Sequence, residues 1–396
     1  MKEGWKYIDF KEVYPIHMGK TPPRGDKASW DVDKITNNKW VSIADISQNE
    51  GGIIFDTKEY ISDSAAQKIR KVKKDSLLMS FKLSIGRMAF AGDDLYTNEA
   101  IIAIPNTEEY LLKFIYHYLL SYDWKTMTAG NEKVKGATLN KESIGKIQLP
   151  VIPLSDQQKI VEYLDANFGR IDAMKANALK MVDEAKALFA AALKTELTPQ
   201  DDWEVKKLGE VGITQTGSTP PKNDRNNYGD FMPFIRPAEL NVNGCGGINY
   251  DSEVKLSEQG VNATRLIKAP AILMCCIGSI GKTGFTEIDI TCNQQINTIT
   301  PYKEYLPKYV YYALTSPAFQ EEMIKIANSA KATLAIISKS KWENLSIPLP
   351  PLTTQQAIVS HLDALSDKVK RLEANYERIA SECDAMKQAL LKQVFE

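Results

Sequence analysis

The chain repeats itself. Its landmarks recur at a nearly constant interval along almost its whole length, and a tandem duplication of this kind restricts the fold to two copies of one architecture. Trp5 matches Trp203, a shift of 198, and Gly19 with Thr21-Pro22-Pro23 matches Gly217 with Thr219-Pro220-Pro221. Further on the shift is 195. Gly51-Gly52 meets Gly246-Gly247, Ser84-Ile85-Gly86-Arg87 meets Ser279-Ile280-Gly281-Lys282, Asn98 meets Asn293, and Ala137-Thr138-Leu139 meets Ala332-Thr333-Leu334. A three-residue insertion then restores 198. Leu154, Gln157-Gln158, Ile160-Val161 and Leu164-Asp165 fall on Leu352, Gln355-Gln356, Ile358-Val359 and Leu362-Asp363.

Each copy has two parts. The first mixes short β-branched runs, such as Ala100 to Ile104 and Ile296 to Thr300, with many Gly and Pro punctuators. Prolines at Pro150, Pro153, Pro348, Pro350 and Pro351 close these globular parts, because proline denies the chain a continuous helix or an inner strand. The second part of each copy has the pattern of a long amphipathic helix. The boundaries are 1–152, 153–198, 199–350 and 351–396. In the first helix the expected seam is Ile171, Met174, Ala178, Met181, Ala185, Leu188 and Ala192. In the second it is Val369, Leu372, Tyr376, Ile379, Cys383, Met386 and Leu390. Both step 3-4-3-4-3-4, the spacing of a coiled-coil seam. Two copies of one unit usually relate by a pseudo-two-fold, which makes the helices antiparallel. The expected fold is α+β: two pseudo-two-fold-related α/β domains joined by a long antiparallel coiled coil of two helices. A helix of about 40 residues is roughly 60 Å long, or roughly 18 base pairs of B-DNA at about 3.4 Å each.

Composition excludes more than it points to. With 43% hydrophobic and 25% charged residues, the 396-residue chain reads as an ordinary globular protein. No apolar run approaches the roughly 18 residues that would span a bilayer, and the N-terminal residues do not resemble a signal peptide. Five cysteines, all of them in the second copy, argue against a disulfide framework and for a reducing cytoplasm. Lys plus Arg at 49 nearly balances Asp plus Glu at 50, so any basic surface must come from local segregation of charge.

Catalytic patterns fail one by one. Gly278-Ser279-Ile280-Gly281-Lys282-Thr283 resembles the end of a phosphate-binding loop, but Cys276 stands where that motif needs its first glycine. A tight turn presenting one basic residue per copy, Arg87 and Lys282, is the better reading. His17, His117 and His361 lie in no metal or acid–base spacing, and Cys275-Cys276 reads as core. The chain reads as non-catalytic, with no metal. Basic residues do cluster. Lys68 to Lys74 fits a solvated face. The loops that recur are Lys20, Arg24 and Lys27 against Lys222 and Arg225. Lys82, Arg87, Lys133 and Lys135 in the first copy, and Arg236, Lys282 and Lys331 in the second, complete the set of candidate DNA-binding cations. Asn98, Asn293, Gln294 and Gln295 are candidate base readers, and each could equally cap a turn.

The order module, helix, module, helix, together with Gly19…Thr21-Pro22-Pro23, Pro153-Leu154…Gln157-Gln158-Lys159-Ile160 and Pro351-Leu352…Gln355-Gln356-Ala357-Ile358, resembles the specificity subunit of type I restriction-modification systems. The resemblance implies two target-recognition domains that each read one half of a split, asymmetric double-stranded DNA site. It implies paired helices that act as a ruler and dock two methyltransferase subunits, which would bring S-adenosylmethionine as their cofactor, and through them restriction-translocation subunits. Thr195-Glu196-Leu197 resembles the short segment that such proteins use to tune half-site separation, so about four residues inserted between Lys194 and Pro199 are expected to lengthen the gap. Base contacts do not carry over from the resemblance. A protein-binding scaffold and an enzyme with a degenerate nucleotide site are the competing classes. A neighbouring methyltransferase gene would separate them.

Overall fold

The computed structural model describes residues 2–124, 132–133, 136–137, 139–240, 247–329 and 335–396. The chain divides into two compact units, Met1–Lys175 with Ser381–Glu396, and Ala176–Ala380. Among the described residues no helix is long and apolar enough to cross a membrane.

In the first unit β1 (Ile53–Ile54), β2 (Leu77–Ser80), β3 (Met88–Ala91) and β4 (Ile101–Ile104) form a sheet in the order β1-β3-β2-β4. Strand β2 is buried at every position, so its sequence is a continuous run without polar alternation. Leu77 lies opposite Phe90 in β3 and opposite Ile104 in β4. The second unit contains β5 (Gly212–Thr216), β6 (Ala271–Cys275), β7 (Thr283–Thr286) and β8 (Ile296–Pro301), in the order β5-β8-β6-β7. There Ile272 lies opposite Phe285 and Ile299. These are the same partners moved by 195 residues, so the repeat holds in strand register as well as in sequence. The sheets differ at both edges: β1 is added parallel to β3 in the first, whereas β5 is added antiparallel to β8, at the opposite edge, in the second.

An aromatic helix packs beside each sheet, α1 (Leu112–Leu120) in the first unit. The long helix α2 (Leu154–Glu196) comes next, and the second copy supplies α3 (Pro307–Thr315) and α4 (Leu352–Phe395). Neither α1 nor α3 has a side-chain N-cap of its own. The deficit is met by the first glutamine of each Gln-Gln pair. Gln157 is fully buried. Its Oε1 accepts the Leu111 N–H at 2.9 Å, and its Nε2 donates to the carbonyls of Glu109 and Ile152. Gln355 repeats the arrangement, accepting from Leu306 N–H at 3.0 Å and donating to the Pro350 carbonyl. A buried amide that makes all these bonds satisfies a helix end that would otherwise be left unpaired. Two turns on, Asp165 takes Lys113 at 2.6 Å and His117 Nε2 at 2.8 Å. Asp363 takes Lys308 at 2.8 Å and the Tyr312 hydroxyl at 2.6 Å.

Each unit contains parts of both long helices. In the first unit Val161 and Leu164 of α2 join a core with Phe114, Leu77 and Ile102, and the last turn of α4 adds Leu391, Val394 and Phe395. The Phe395 ring meets Phe114 and Tyr118 edge-on at 5.7 and 5.3 Å. In the second unit Ile358 and Leu362 of α4 join Ile272, Tyr309 and Trp342, and the end of α2 adds Phe189, Leu193 and Leu197. Within the first unit the helices run antiparallel, as the crossed ion pairs Lys175–Asp384 (2.7 Å) and Lys387–Asp172 (2.5 Å) require. Within the second, His361 Nδ1 lies 2.7 Å from Glu196.

The buried line of the helices departs from the expected seam at Met174, Met181, Leu188, Leu372 and Met386. Ile171, Ala178, Ala185, Val369 and Cys383 are buried, and Tyr376, Ile379 and Leu390 are half-buried. Met174, Met181 and Leu188 are 49%, 36% and 59% exposed, and Leu372 and Met386 are exposed as well. The line passes instead through Lys175, Val182 and Phe189 in α2, and through Glu373, Ala380 and Lys387 in α4. The offset is one residue and is the same in both helices. Lys175 and Lys387 are the basic residues on that line. Each lays its stem along the apolar line and carries its ammonium out to an aspartate on the facing helix, a placement that hydrophobicity scoring rejects.

Candidate nucleic-acid interface

Three segments meet on one surface of each unit. They are the Gly-x-Thr-Pro-Pro loop, the turn before β4 or β8, and the hairpin between the two central strands. In the first unit the Gly19 N–H bonds to the Ile101 carbonyl and the Lys20 N–H to the Thr97 carbonyl at 2.8 Å. In the second, Gly217 N–H bonds to Ile296 and Ser218 N–H to Cys292, both at 2.9 Å. The approach is so close that only glycine fits. A Cβ on Gly19 would lie 2.0 Å from the Thr97 carbonyl oxygen, and one on Gly217 2.3 Å from that of Asn293. Pro22 and Pro220 are buried beneath the loop.

The hairpin is pinned in the same way in both units. Ser80 N–H bonds to the Arg87 carbonyl and Gly86 N–H to that of Ser80, both at 2.9 Å. Cys275 and Lys282 with Gly281 repeat the pair at 2.8 and 3.0 Å. Gly86 and Gly281 both have positive φ, +80° and +87°. The segment that resembles a phosphate loop therefore runs from strand to strand and has no helix behind it.

The structure gives each candidate residue a distinct environment. Lys20, Lys27, Lys222 and Arg225 are exposed on the loops. Arg24 is held instead. Its guanidinium lies over Trp30 (4.2 Å) and Trp40 (5.0 Å) and is bonded to Glu59. Arg236 is bridged to buried Glu239 at 2.7 Å, a bond that raises its pKa. Lys282 is half-buried and donates to the Pro237 carbonyl at 3.1 Å, whereas Arg87 is exposed with Glu50 at 3.8 Å. Lys82 is half-buried with its ammonium 5.5 Å from the Phe81 ring. Asn98 and Asn293 are turned inward. Asn98 Oδ1 accepts the Ala100 N–H at 2.9 Å, and Asn293 Oδ1 accepts that of Gln295 at 3.1 Å. Their amides close the turn, as Asn side chains commonly do. Gln295 is engaged with Asn293 and the Ile277 carbonyl. Gln294 is exposed and accepts from Thr219 Oγ1. Lys133 lies on a short strand, and Lys135 and Lys331 lie outside the described residues. From the Lys68–Lys74 cluster, Lys73 pairs with Asp94 at 3.0 Å and Lys71 lies over Tyr96.

Two residues on this surface escaped the sequence reading. Glu99 is exposed and accepts from Thr21 Oγ1, the counterpart of the Thr219–Gln294 bond. Burial pushes the Glu99 carboxyl up, but the Thr21 bond, backbone bonds and nearby Lys82 outweigh it and hold the group below its ordinary value. An acid among cations carries no signal of its own for a nucleic-acid surface, although its partner at a shift of 195 is Gln294. Leu83, at the hairpin tip, is 62% exposed with φ of +64°, where the second copy has Gly278 at +78°.

Comparison with known proteins supplies the family context. A family model described as the type I restriction modification DNA specificity domain matches residues 2–181 and again 200–380. The EcoBI specificity subunit of Escherichia coli is 22% identical over 355 residues, covering 82% of this chain and 73% of that protein. A chain from a solved type I R-M system, studied for its complex assembly and conformational transition, superposes with a TM-score of 0.75 at 18% identity, covering 100% of this chain and 98% of that one. The HsdS subunit of Thermoanaerobacter tengcongensis gives 0.53 at 17% identity, covering 100% and 97%.

Proposed function

Because the chain belongs to the type I restriction modification DNA specificity domain family, we propose that it recognises a bipartite, asymmetric double-stranded DNA site, one unit reading each half. Its role is that of the DNA-recognition subunit of a type I system, with no catalytic step of its own. The observation that carries the bipartite reading is the three-segment surface. Loop, turn and hairpin recur in both units with the same backbone bonds, while the side chains they present differ. The same scaffold with different side chains reads two different half-sites. One small module binds DNA weakly. Two in one chain make the second contact intramolecular, which raises affinity without adding contacts.

The long helices are the docking element for methyltransferase subunits, which carry S-adenosylmethionine and bring the restriction subunits. Support comes from the apolar residues left outside the buried line. Met174, Met181 and Leu188 are exposed at seven-residue steps in α2, and Leu372 and Met386 are exposed at the matching places in α4. A heptad-spaced apolar line on the solvent side of a helix suits a second helical partner, and its repetition suits two copies of that partner.

The test is to co-express the chain with its methyltransferase subunit, titrate DNA retention against salt, and sequence the methylated positions of the host genome. A motif of two unlike half-sites with a fixed gap is expected, with binding that weakens steeply as salt rises. A palindromic or continuous motif, or no DNA retention at low salt, overturns the proposal.

A further inference from the structure

Glu99 and Gln294 occupy the same place in the two copies and differ in a way that nucleic-acid chemistry can read. Both are exposed, at the turn where the Gly-x-Thr-Pro-Pro loop meets the hairpin, and each is steered by the threonine of that loop. Thr21 Oγ1 donates to one oxygen of Glu99, and Thr219 Oγ1 donates to Oε1 of Gln294. What each side chain has left to offer is different. The second Glu99 oxygen can only accept, whereas Gln294 Nε2 can donate and its Oε1 keeps one lone pair. Glu99 is ionised at neutral pH, and Lys82 is the cation beside it.

A carboxylate on a DNA-facing surface is out of place against phosphates, which carry one negative charge per roughly 1.7 Å of duplex. It is in place against an exocyclic amino group in the major groove, the donor that cytosine N4 or adenine N6 presents. Guanine and thymine offer only acceptors there. A glutamine suits adenine, whose N6 donates and whose N7 accepts. We propose that Glu99 and Gln294 are equivalent specificity-determining residues, each held by its loop threonine. Glu99 accepts from a base amino group in the half-site of the first copy, and Gln294 pairs with a base that both donates and accepts in the half-site of the second.

This rests on the reading of the two units as DNA-recognition modules, and the test separates the two. Glu99→Gln and Gln294→Glu are near-isosteric and keep the threonine bond, so both variants are expected to fold as the parent does. Each is co-expressed with the methyltransferase subunit, and the methylated motif is sequenced for parent and variants. The expected result for Glu99→Gln is a changed or relaxed base preference at one position of one half-site, with the other half-site and the gap unchanged. Gln294→Glu does the same in the opposite half-site. Discrimination at the affected position should move by roughly 5- to 150-fold, the range of one good side-chain–base contact. Purified complexes then give salt slopes on matched and mismatched duplexes. A parent without a two-part motif defeats the recognition reading itself. A parent with a two-part motif that both variants leave unchanged, or variants that alter affinity equally for every sequence, would show that these residues read no base, and would overturn this inference alone. A change confined to one copy's half-site upholds it for that copy and rejects it for the other.

Discussion

Leu83 and Gly278 sit at the same turn with almost the same backbone, and only one of them suits it. A leucine at φ of +64° carries a steric cost of about 1–2 kcal/mol that glycine avoids. Leu83→Gly should therefore leave stability unchanged or raise it by up to about 1 kcal/mol, once the greater freedom of unfolded glycine is allowed for. Urea unfolding of parent and variant measures this, and a clear loss would mean that the exposed leucine packs on something. A second matched pair, His117 and Tyr312, makes a pH prediction. His117 is buried against Asp165, and its Nδ1 has no partner among the described residues. Burial holds its pKa below the ordinary 6.5, against the Asp165 bond that raises it. The unfolded chain thus takes up the proton first. Stability is fully present above the ordinary value and declines as pH falls through 6.5 toward the folded value. His117→Tyr, which copies the second unit, should flatten that decline, as calorimetry at about pH 7.5 and 5.5 would show. A parent and variant that lose stability equally would locate the titration elsewhere. Residues were legible in sequence where a copy could be compared with its mate. They were not legible where a partner comes from far along the chain, as Glu59 does for Arg24.

The strands and helices were legible because they announce themselves locally. The β-branched runs gave β4 and β8, and a period of about 3.5 residues gave α2 and α4. The phase of that period was not legible. Met181-Val182 and Leu188-Phe189 each offer two adjacent apolar residues, and only packing chooses between them. The Gln-Gln pair in each copy has an equally hidden division of labour. Gln157 is buried and ties α2 to the start of α1, whereas Gln158 is exposed and reaches only Glu162. Gln157→Leu should cost roughly 2–4 kcal/mol because it leaves buried backbone groups unpaired, and Gln158→Ala should be within about 0.5 kcal/mol of the parent. Denaturant melts of the two variants test this, and equal effects would refute the assignment. Beside the buried line, Met181→Glu with Leu188→Glu should leave the melt unchanged and abolish co-purification of the methyltransferase subunit. Retained co-purification would move the docking surface off this line.

For the whole molecule, the duplication read from the sequence holds down to strand register, yet the sequence did not disclose that each unit takes in the end of the other copy's helix. Leu197 is seated in the core of the second unit, so four residues inserted between Lys194 and Pro199 would also turn the buried line by about 40°. Seven residues added to each long helix nearly preserve the phase and add about 10 Å. The methylated motif should then keep both half-sites and gain about three base pairs of gap. An unchanged gap would remove the helices from the role of ruler. Removing only the Phe395 ring, as Phe395→Ala, should cost about 3–5 kcal/mol and lower the melting of the first unit, leaving the second unaffected.

The seating of Leu391, Val394 and Phe395 in the first unit also sets the timing of its birth. The ribosome makes the bulk of that unit first and residues 381–396 only after the whole of the second unit. At about 5–20 residues per second, the first unit waits roughly 10–45 s with an open, aromatic-lined slot while the second unit and residues 381–396 are made. A nascent chain halted before residue 381 carries that slot exposed, so the first unit cannot be finished before the second has been made.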